Sequence, residues 1–130
     1  FDIDYFKHVN DQYTHAAGDL VLRALAQRAE RNARHFDILG RYGGEEFVWL
    51  LPETDLTTAR EAAERLRQSI QDLRVVLTPN QPPVGVTISL GVAEFTPDIP
   101  NLAEMIHRAD QALLRAKNAG RNRVESAIGK

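Results

Sequence analysis

The 130-residue sequence contains no cysteine. Disulfides, thiolate metal sites and cysteine nucleophiles are thereby excluded, and the composition fits a reducing, cytoplasmic setting. No stretch approaches the roughly 18–20 consecutive apolar residues that span a bilayer, and the opening residues do not read as a charged-then-apolar signal. An excess of positive charge is missing too. Sixteen Lys and Arg stand against eighteen Asp and Glu, a formal charge of −2, so nothing supports general binding to a nucleic-acid backbone. The four histidines (His8, His15, His35, His107) lack metal-ligand spacing. There is no internal repeat and no low-complexity tract. What remains is an ordinary globular composition, 43% apolar and 26% charged, whose length suits a single domain over residues 1–130.

Phe1-Asp2-Ile3-Asp4 alternates apolar and acidic residues like the tail of a strand with almost no strand in front of it, which predicts a sequence truncated at its N-terminus. Tyr5 to Thr14 is short and polar, with Phe6 and Val9 spaced to seat one helical turn. Val21, Leu25 and Ala29, beside Leu22 and Ala26, form an apolar stripe that predicts an amphipathic helix from Asp19 to about Arg34. Two β-prone runs, Ile38–Tyr42 and Glu45–Leu51, flank Gly43-Gly44. They read as a hairpin whose tight turn uses the access of glycine to positive φ, with Pro52 stopping the second strand.

Asp55 as N-cap, followed by Ala59, Ala62, Ala63, Leu66, Ile70 and Leu73 on one face, predicts a further helix. Residues 78–83 form a loop. Val84, Val86, Ile88, Leu90 and Val92 then alternate with small residues and predict one long strand. Asn101 with Glu104 resembles a capping box ahead of Leu102, Met105, Ile106, Ala109, Leu113 and Ala116, and Gly120 ends that helix. Arg123-Val124-Glu125 predicts a short last strand. The fold class is α+β, an α/β sandwich around one mixed, largely antiparallel sheet.

The chemistry begins at Gly43-Gly44-Glu45-Glu46. Adjacent carboxylates on a turn repel each other and add nothing to a core, whereas two glycines let a ligand approach the backbone. Taken alone, these four residues also fit a solvated hairpin tip that discourages edge pairing. Asp2 and Asp4, two apart on a strand, share one face, and a neighbouring turn can bring Glu45 and Glu46 to them. Hard oxygen donors without His or Cys suit Mg²⁺ or Mn²⁺, which complete their shells with water and substrate phosphate. Lys7, Lys117 and Arg121 are available for those phosphates, although the last two also match the charge preference of a helix C-terminus. Arg34-His35-Phe36-Asp37 by itself reads as a basic helix end beside a turn acid.

Four segments in order carry a resemblance: Asp2-Ile3-Asp4-Tyr5-Phe6-Lys7-His8-Val9-Asn10-Asp11, then His15 with Gly18-Asp19, then Arg41-Tyr42-Gly43-Gly44-Glu45-Glu46-Phe47, then Ala116-Lys117-Asn118-Ala119-Gly120-Arg121-Asn122. Together they resemble the GGDEF family, the diguanylate cyclases. The resemblance implies a palm-like domain with a central, mostly antiparallel five-stranded sheet, the first strand largely absent here. It also implies condensation of two GTP into cyclic di-GMP and two pyrophosphates across a homodimer. By the same resemblance Asp2, the carbonyl of Ile3 and Glu45 are metal ligands, and Glu46 contacts metal and helps deprotonate the 3′-hydroxyl. Asn10 and Asp19 match guanine-reading positions. Phe6, Lys7, Gly43, Gly44, Lys117 and Arg121 match the phosphate side. Arg34 and Asp37, with Arg65 on the next helix, match an inhibitory site for the product.

Two departures from the family pattern stand out: Thr14 where Gly is usual, and Glu45 where the family name has Asp. The resemblance further implies an upstream sensory or dimerising module. A non-catalytic receptor of GTP or cyclic di-GMP is the alternative reading. A cyclase for another nucleotide is disfavoured, because the Asp19 carboxylate can accept from guanine N1–H and N2–H₂, which adenine lacks.

Overall fold

The computed structural model describes residues 1–127. Along the chain come β1 (Asp2–Ile3), α1 (Phe6–Gln12), α2 (His15–Asn32), β2 (Ile38–Arg41), β3 (Phe47–Leu50), α3 (Leu56–Gln71), β4 (Ile88–Val92), α4 (Leu102–Asn118) and β5 (Val124–Ser126). β1 pairs antiparallel with β4 through Asp2↔Ser89 and Ile3↔Ile88, and β4 pairs parallel with β5. β2 and β3 form the expected antiparallel hairpin. An isolated bridge, Asp2↔Glu46, with Phe47 N–H donating to Phe1 O at 2.7 Å, joins the hairpin to β1. The spatial order is therefore β2-β3-β1-β4-β5, five strands that are antiparallel except at β4–β5, in agreement with the predicted α+β class. Next to Phe1, β3 and β4 face each other across an apolar groove lined in part by Trp49, Val92, Met105 and Leu113.

Local chemistry sets the element ends. α2 starts at His15, four residues before the predicted Asp19, because extended Thr14 accepts the Ala17 N–H on its side chain at 3.0 Å and caps the helix. The departure at Thr14 is thus a helix cap. Asp55 caps α3 as predicted, accepting from Thr58 N at 2.8 Å, and this bond holds its carboxyl below the usual range. Asn101 caps α4 by accepting from Glu104 N, but Glu104 turns to Arg108 at 3.0 Å, so only half of the capping box forms. Gly120, at φ 121°, follows the helix end.

Two strand expectations change. β4 covers only Ile88–Val92, because Val84 leaves the sheet to bridge Val75 beyond α3, with reciprocal N–H···O bonds of 2.8 Å. The hairpin has no tight glycine turn either. Pairing stops at Arg41↔Phe47, leaving Tyr42–Glu46 as a five-residue loop, and neither Gly43 nor Gly44 has positive φ. The Arg41 guanidinium fills the loop and donates to the carbonyls of Gly43 (3.1 Å) and Gly44 (2.9 Å). Backbone shape there comes from a side chain outside the glycine pair.

The core lies where α2, α3 and the sheet meet, around Val21, Leu25, Leu66, Ile70 and Ile88, all with 0% exposure. Burying each of these contributes about 1.5–3 kcal/mol relative to leaving it in water. α4 lies directly on β4 at Gly91. A β-carbon there would run into the backbone of Ala109 and Leu113, with Leu113 Cα at 3.0 Å.

Candidate active site

Asp2 sits at the centre of the sheet, 7% exposed, flanked by β4 and the hairpin loop. Its Oδ2 is 2.5 Å from Nζ of Lys117 in the last turn of α4. Its Oδ1 is buried and has no hydrogen-bond partner. An unpaired buried carboxylate oxygen carries a desolvation cost that a cation would relieve. The Ile3 N–H donates to the Glu45 carbonyl at 3.3 Å, which brings the half-buried Glu45 beside Asp2 and the Ile3 backbone. Among the described residues no three His, Cys, Asp or Glu side chains are gathered to hold an ion unaided. The donors nevertheless fit a magnesium-class ion that arrives with phosphates, since such ions commonly use one or two carboxylates and take the rest from water and substrate.

The two signature acids part company. Burial first, then the neighbouring Asp110 of α4, pushes the Glu46 carboxyl above the usual range. Both acids lie along β1 through their backbones, Glu46 bridging Asp2 and Glu45 accepting from Ile3 N–H, and Glu46 alone also neighbours Asp110 of α4. Asp4 also departs from expectation. β1 ends at Ile3, so Asp2 and Asp4 do not share a strand face, and Asp4 is buried against the hydroxyls of Thr87, just before β4, and Ser89 within it.

On the other side of β1, α1 crosses α2 at Gly18. A β-carbon at Gly18 would collide with Asn10 Oδ1 and come within 3.1 Å of Phe6 Cζ. Only hydrogen at this position lets the Asn10 amide lie against α2, one residue from exposed Asp19. Gly18 is thus a packing residue, holding Asn10 against α2, that the sequence motif contained without stating its role. Gly18→Ala is expected to displace Asn10 and weaken guanine-nucleotide binding about tenfold or more, read by calorimetry with GTP. Unchanged GTP affinity would separate Asn10 from the base.

Lys7 is exposed on α1, where Phe6 anchors the helix in the core. Arg121 follows α4 at φ 64°, with its guanidinium 4.7 Å above the ring of Tyr5, so the structure brings Arg121 and the start of α1 together. Arg34 and Asp37 are also joined. The Asp37 carboxylate accepts from Arg34 N (2.8 Å), Arg34 Nε (3.3 Å) and Trp49 Nε1 (3.1 Å), which closes the α2–β2 turn. Arg65 is exposed on α3, and no hydrogen bond or ion pair among the described residues links it to that pair.

Comparison with known proteins agrees with this geometry. The family model described as "Diguanylate cyclase, GGDEF domain" matches residues 1–123. Diguanylate cyclase A of Treponema denticola is 42% identical over 95% of this chain and 33% of its own length. Diguanylate cyclase DgcM of Escherichia coli K12 is 47% identical over 97% of this chain and 29% of its own. The chain thus spans about a third of the curated relatives it matches. The crystal structure of the GGDEF domain of DgcB from Caulobacter crescentus in complex with c-di-GMP superposes with a TM-score of 0.91. It is 35% identical and covers 97% of this chain and 74% of that one. With Lys117 paired to Asp2 and the hairpin loop bonded to β1 through the Glu45 carbonyl, and with the family match running from residue 1 to 123, the chain belongs to the GGDEF-domain family of diguanylate cyclases.

Proposed function

We propose that this chain is a catalytic domain that condenses two GTP into cyclic di-GMP and two pyrophosphates in the cytoplasm. The observation that carries the reading is the Asp2 carboxylate, with one oxygen on Lys117 Nζ at 2.5 Å and the other buried without a partner. Asp2, the Ile3 carbonyl and Glu45 would hold Mg²⁺ or Mn²⁺, with Glu46 joining from the Asp110 side. The ion would supply charge neutralisation on the phosphates and a lowered pKa for the attacking hydroxyl. Lys117 then exchanges Asp2 for phosphate oxygen, and Arg121, Lys7 and the backbone at Phe6, Gly43 and Gly44 hold the remainder of the triphosphate.

Asn10 and Asp19 read the guanine edge. The Glu46 carboxyl, raised by burial and Asp110, is the side chain assigned to accept a proton. It takes the 3′-hydroxyl proton as that oxygen bonds to the α-phosphorus of the other GTP and pyrophosphate departs. Each domain holds one GTP, so two domains must face each other, brought together in the whole protein by an upstream sensory or dimerising segment. Incubation with GTP and Mg²⁺, followed by chromatography, is expected to yield cyclic di-GMP at a specific rate that rises with protein concentration. Binding of GTP or cyclic di-GMP without turnover would convert the reading to a receptor. Concentration-independent turnover by a verified monomer would remove the dimer requirement.

The second part of the proposal is product inhibition at Arg34 and Asp37, with Arg65 assisting. The paired guanidinium and carboxylate match a guanine edge and a phosphate, once Arg34 releases its bonds to Asp37 and Thr54. Arg34→Ala is expected to leave the initial rate near normal while progress curves run past the level at which the unaltered protein stalls. Identical plateaus with equal product affinity would return Arg34 to the role of a turn-closing charge.

A further inference from the structure

We infer that Asp4 is a positioning residue for the phosphate side of the site: its buried carboxylate ties the β1–α1 turn, β4 and the Arg121–Asn122 turn into one unit that holds Arg121 in place. The inference rests on the proposed role of Arg121 toward the nucleotide phosphates and extends it to a residue that touches no substrate.

Asp4 is 5% exposed, and its hydrogen bonds all leave the β1–α1 segment, three to Thr87 and Ser89 and one to Asn122. Its backbone N–H donates to Thr87 O at 2.9 Å. Its Oδ1 accepts from Ser89 Oγ at 2.6 Å, and its Oδ2 accepts from Thr87 Oγ1 at 2.7 Å and from the backbone N–H of Asn122 at 3.0 Å. Ser89 Oγ also accepts from that N–H at 3.2 Å. A buried carboxylate is costly unless its oxygens are satisfied, and an apolar residue would fill the same space without that cost. The partners therefore indicate the use. Ser89 belongs to β4 and pairs with Asp2, Thr87 immediately precedes that strand, and Asn122 belongs to the turn that carries Arg121.

That turn needs holding. Arg121 and Asn122 both adopt left-handed backbone, φ 64° and 48°, conformations that cost free energy for residues with a β-carbon and persist only where surrounding contacts over-determine them. Tyr5, immediately after Asp4, is left-handed as well at φ 56°, and its ring is the one beneath the Arg121 guanidinium at 4.7 Å. Asp4 sits between these two strained segments, covalently joined to one and hydrogen-bonded to the other. Releasing Asn122 N–H frees the turn to relax and lets Arg121 leave Tyr5. Asn122 Oδ1 also accepts from Arg67 of α3 at 2.9 Å, so the turn stays attached to the fold while its conformation loosens.

The test is a double-mutant cycle between Asp4→Ala and Arg121→Ala, read by calorimetric affinity for GTP with Mg²⁺ and, in parallel, for guanosine. Asp4→Ala is expected to weaken GTP binding about tenfold and to leave guanosine binding unchanged, while the double variant binds GTP no worse than Arg121→Ala alone. Asp4→Asn, which keeps an acceptor for Asn122 N–H, is expected to restore most of the affinity. Amide hydrogen exchange at Asn122, which needs no nucleotide, is expected to speed up about tenfold or more in Asp4→Ala. Additive losses in the cycle, a parallel loss of guanosine affinity, or unchanged exchange at Asn122 would each overturn the inference. If the unaltered protein binds no GTP while exchange still accelerates, the positioning stands and the nucleotide reading fails. Ser89→Ala, which removes one Asp4 partner from within β4, replaces Asp4→Ala in every arm if that variant does not fold.

Discussion

Asp2→Asn is expected to abolish turnover while leaving the fold as stable as before. The substitution preserves shape and removes one negative charge from a position where one oxygen pairs with Lys117 and the other is buried without a partner. With no His or Cys at hand to replace the lost ligand, the proposed divalent-ion site loses its central anchor. Turnover falls by about three orders of magnitude or more, on the order of 4 kcal/mol of transition-state stabilisation. Stability responds differently, because a buried carboxylate oxygen lacking a donor is a cost in the folded state, and Lys117 is exposed enough to be solvated when released. Thermal melting paired with product chromatography separates the two effects. Near-normal turnover in Asp2→Asn would remove this residue from the catalytic centre, and a large fall in Tm would mean that the Lys117 pair supports the fold.

Gly91→Ala is expected to be among the most damaging single-methyl additions in the chain. The new carbon would meet the backbone of Ala109 and Leu113, which cannot turn aside as a flexible side chain would. α4 must then lift from β4, the strand pairing with both β1 and β5. Overpacking of this kind typically costs about 1–3 kcal/mol, and a backbone clash belongs at the upper end. For a domain of this size that corresponds to a fall in Tm of about 10 °C. Because α4 carries Lys117 and Asp110, turnover is expected to drop even at temperatures where the variant remains folded. A Tm within 2 °C of the unaltered protein, a margin set by the roughly 2–8 °C that 1 kcal/mol is worth, would mean that α4 has room to adjust.

The helices were legible because their determinants are local. Asp55 and Asn101 cap as their residue types dictate, and the apolar face of α3 buries Ala62, Ala63, Leu66 and Ile70. Thr14 was legible only as a departure from a family pattern, although its residue type is that of a helix cap and its hydrogen bond to Ala17 N explains why α2 begins early. The long strand predicted from Val84 was misread because alternation reports an extended backbone without reporting its partner. Val84 is paired with Val75 and lies outside the named strands.

At the site, composition and order were enough to bring Asp2, Glu45, Lys117 and Arg121 under consideration, and the family to which they point is the one to which the chain belongs. The sequence could not tell Asp2 from Asp4, two acids of the same type two residues apart. Their difference depends on β1 ending at Ile3 and on Thr87, Ser89 and Asn122, more than eighty residues away, meeting one of the two carboxylates. Nor could it separate Glu45 from Glu46, both beside β1 but only the second next to Asp110. Periodicity, capping and turn chemistry act over a few residues and are written in the sequence itself. The sharing of hydrogen-bond donors among neighbouring carboxylates is decided only when distant segments pack, because burial removes water as the competing partner and leaves each oxygen with whichever group the fold brings to it.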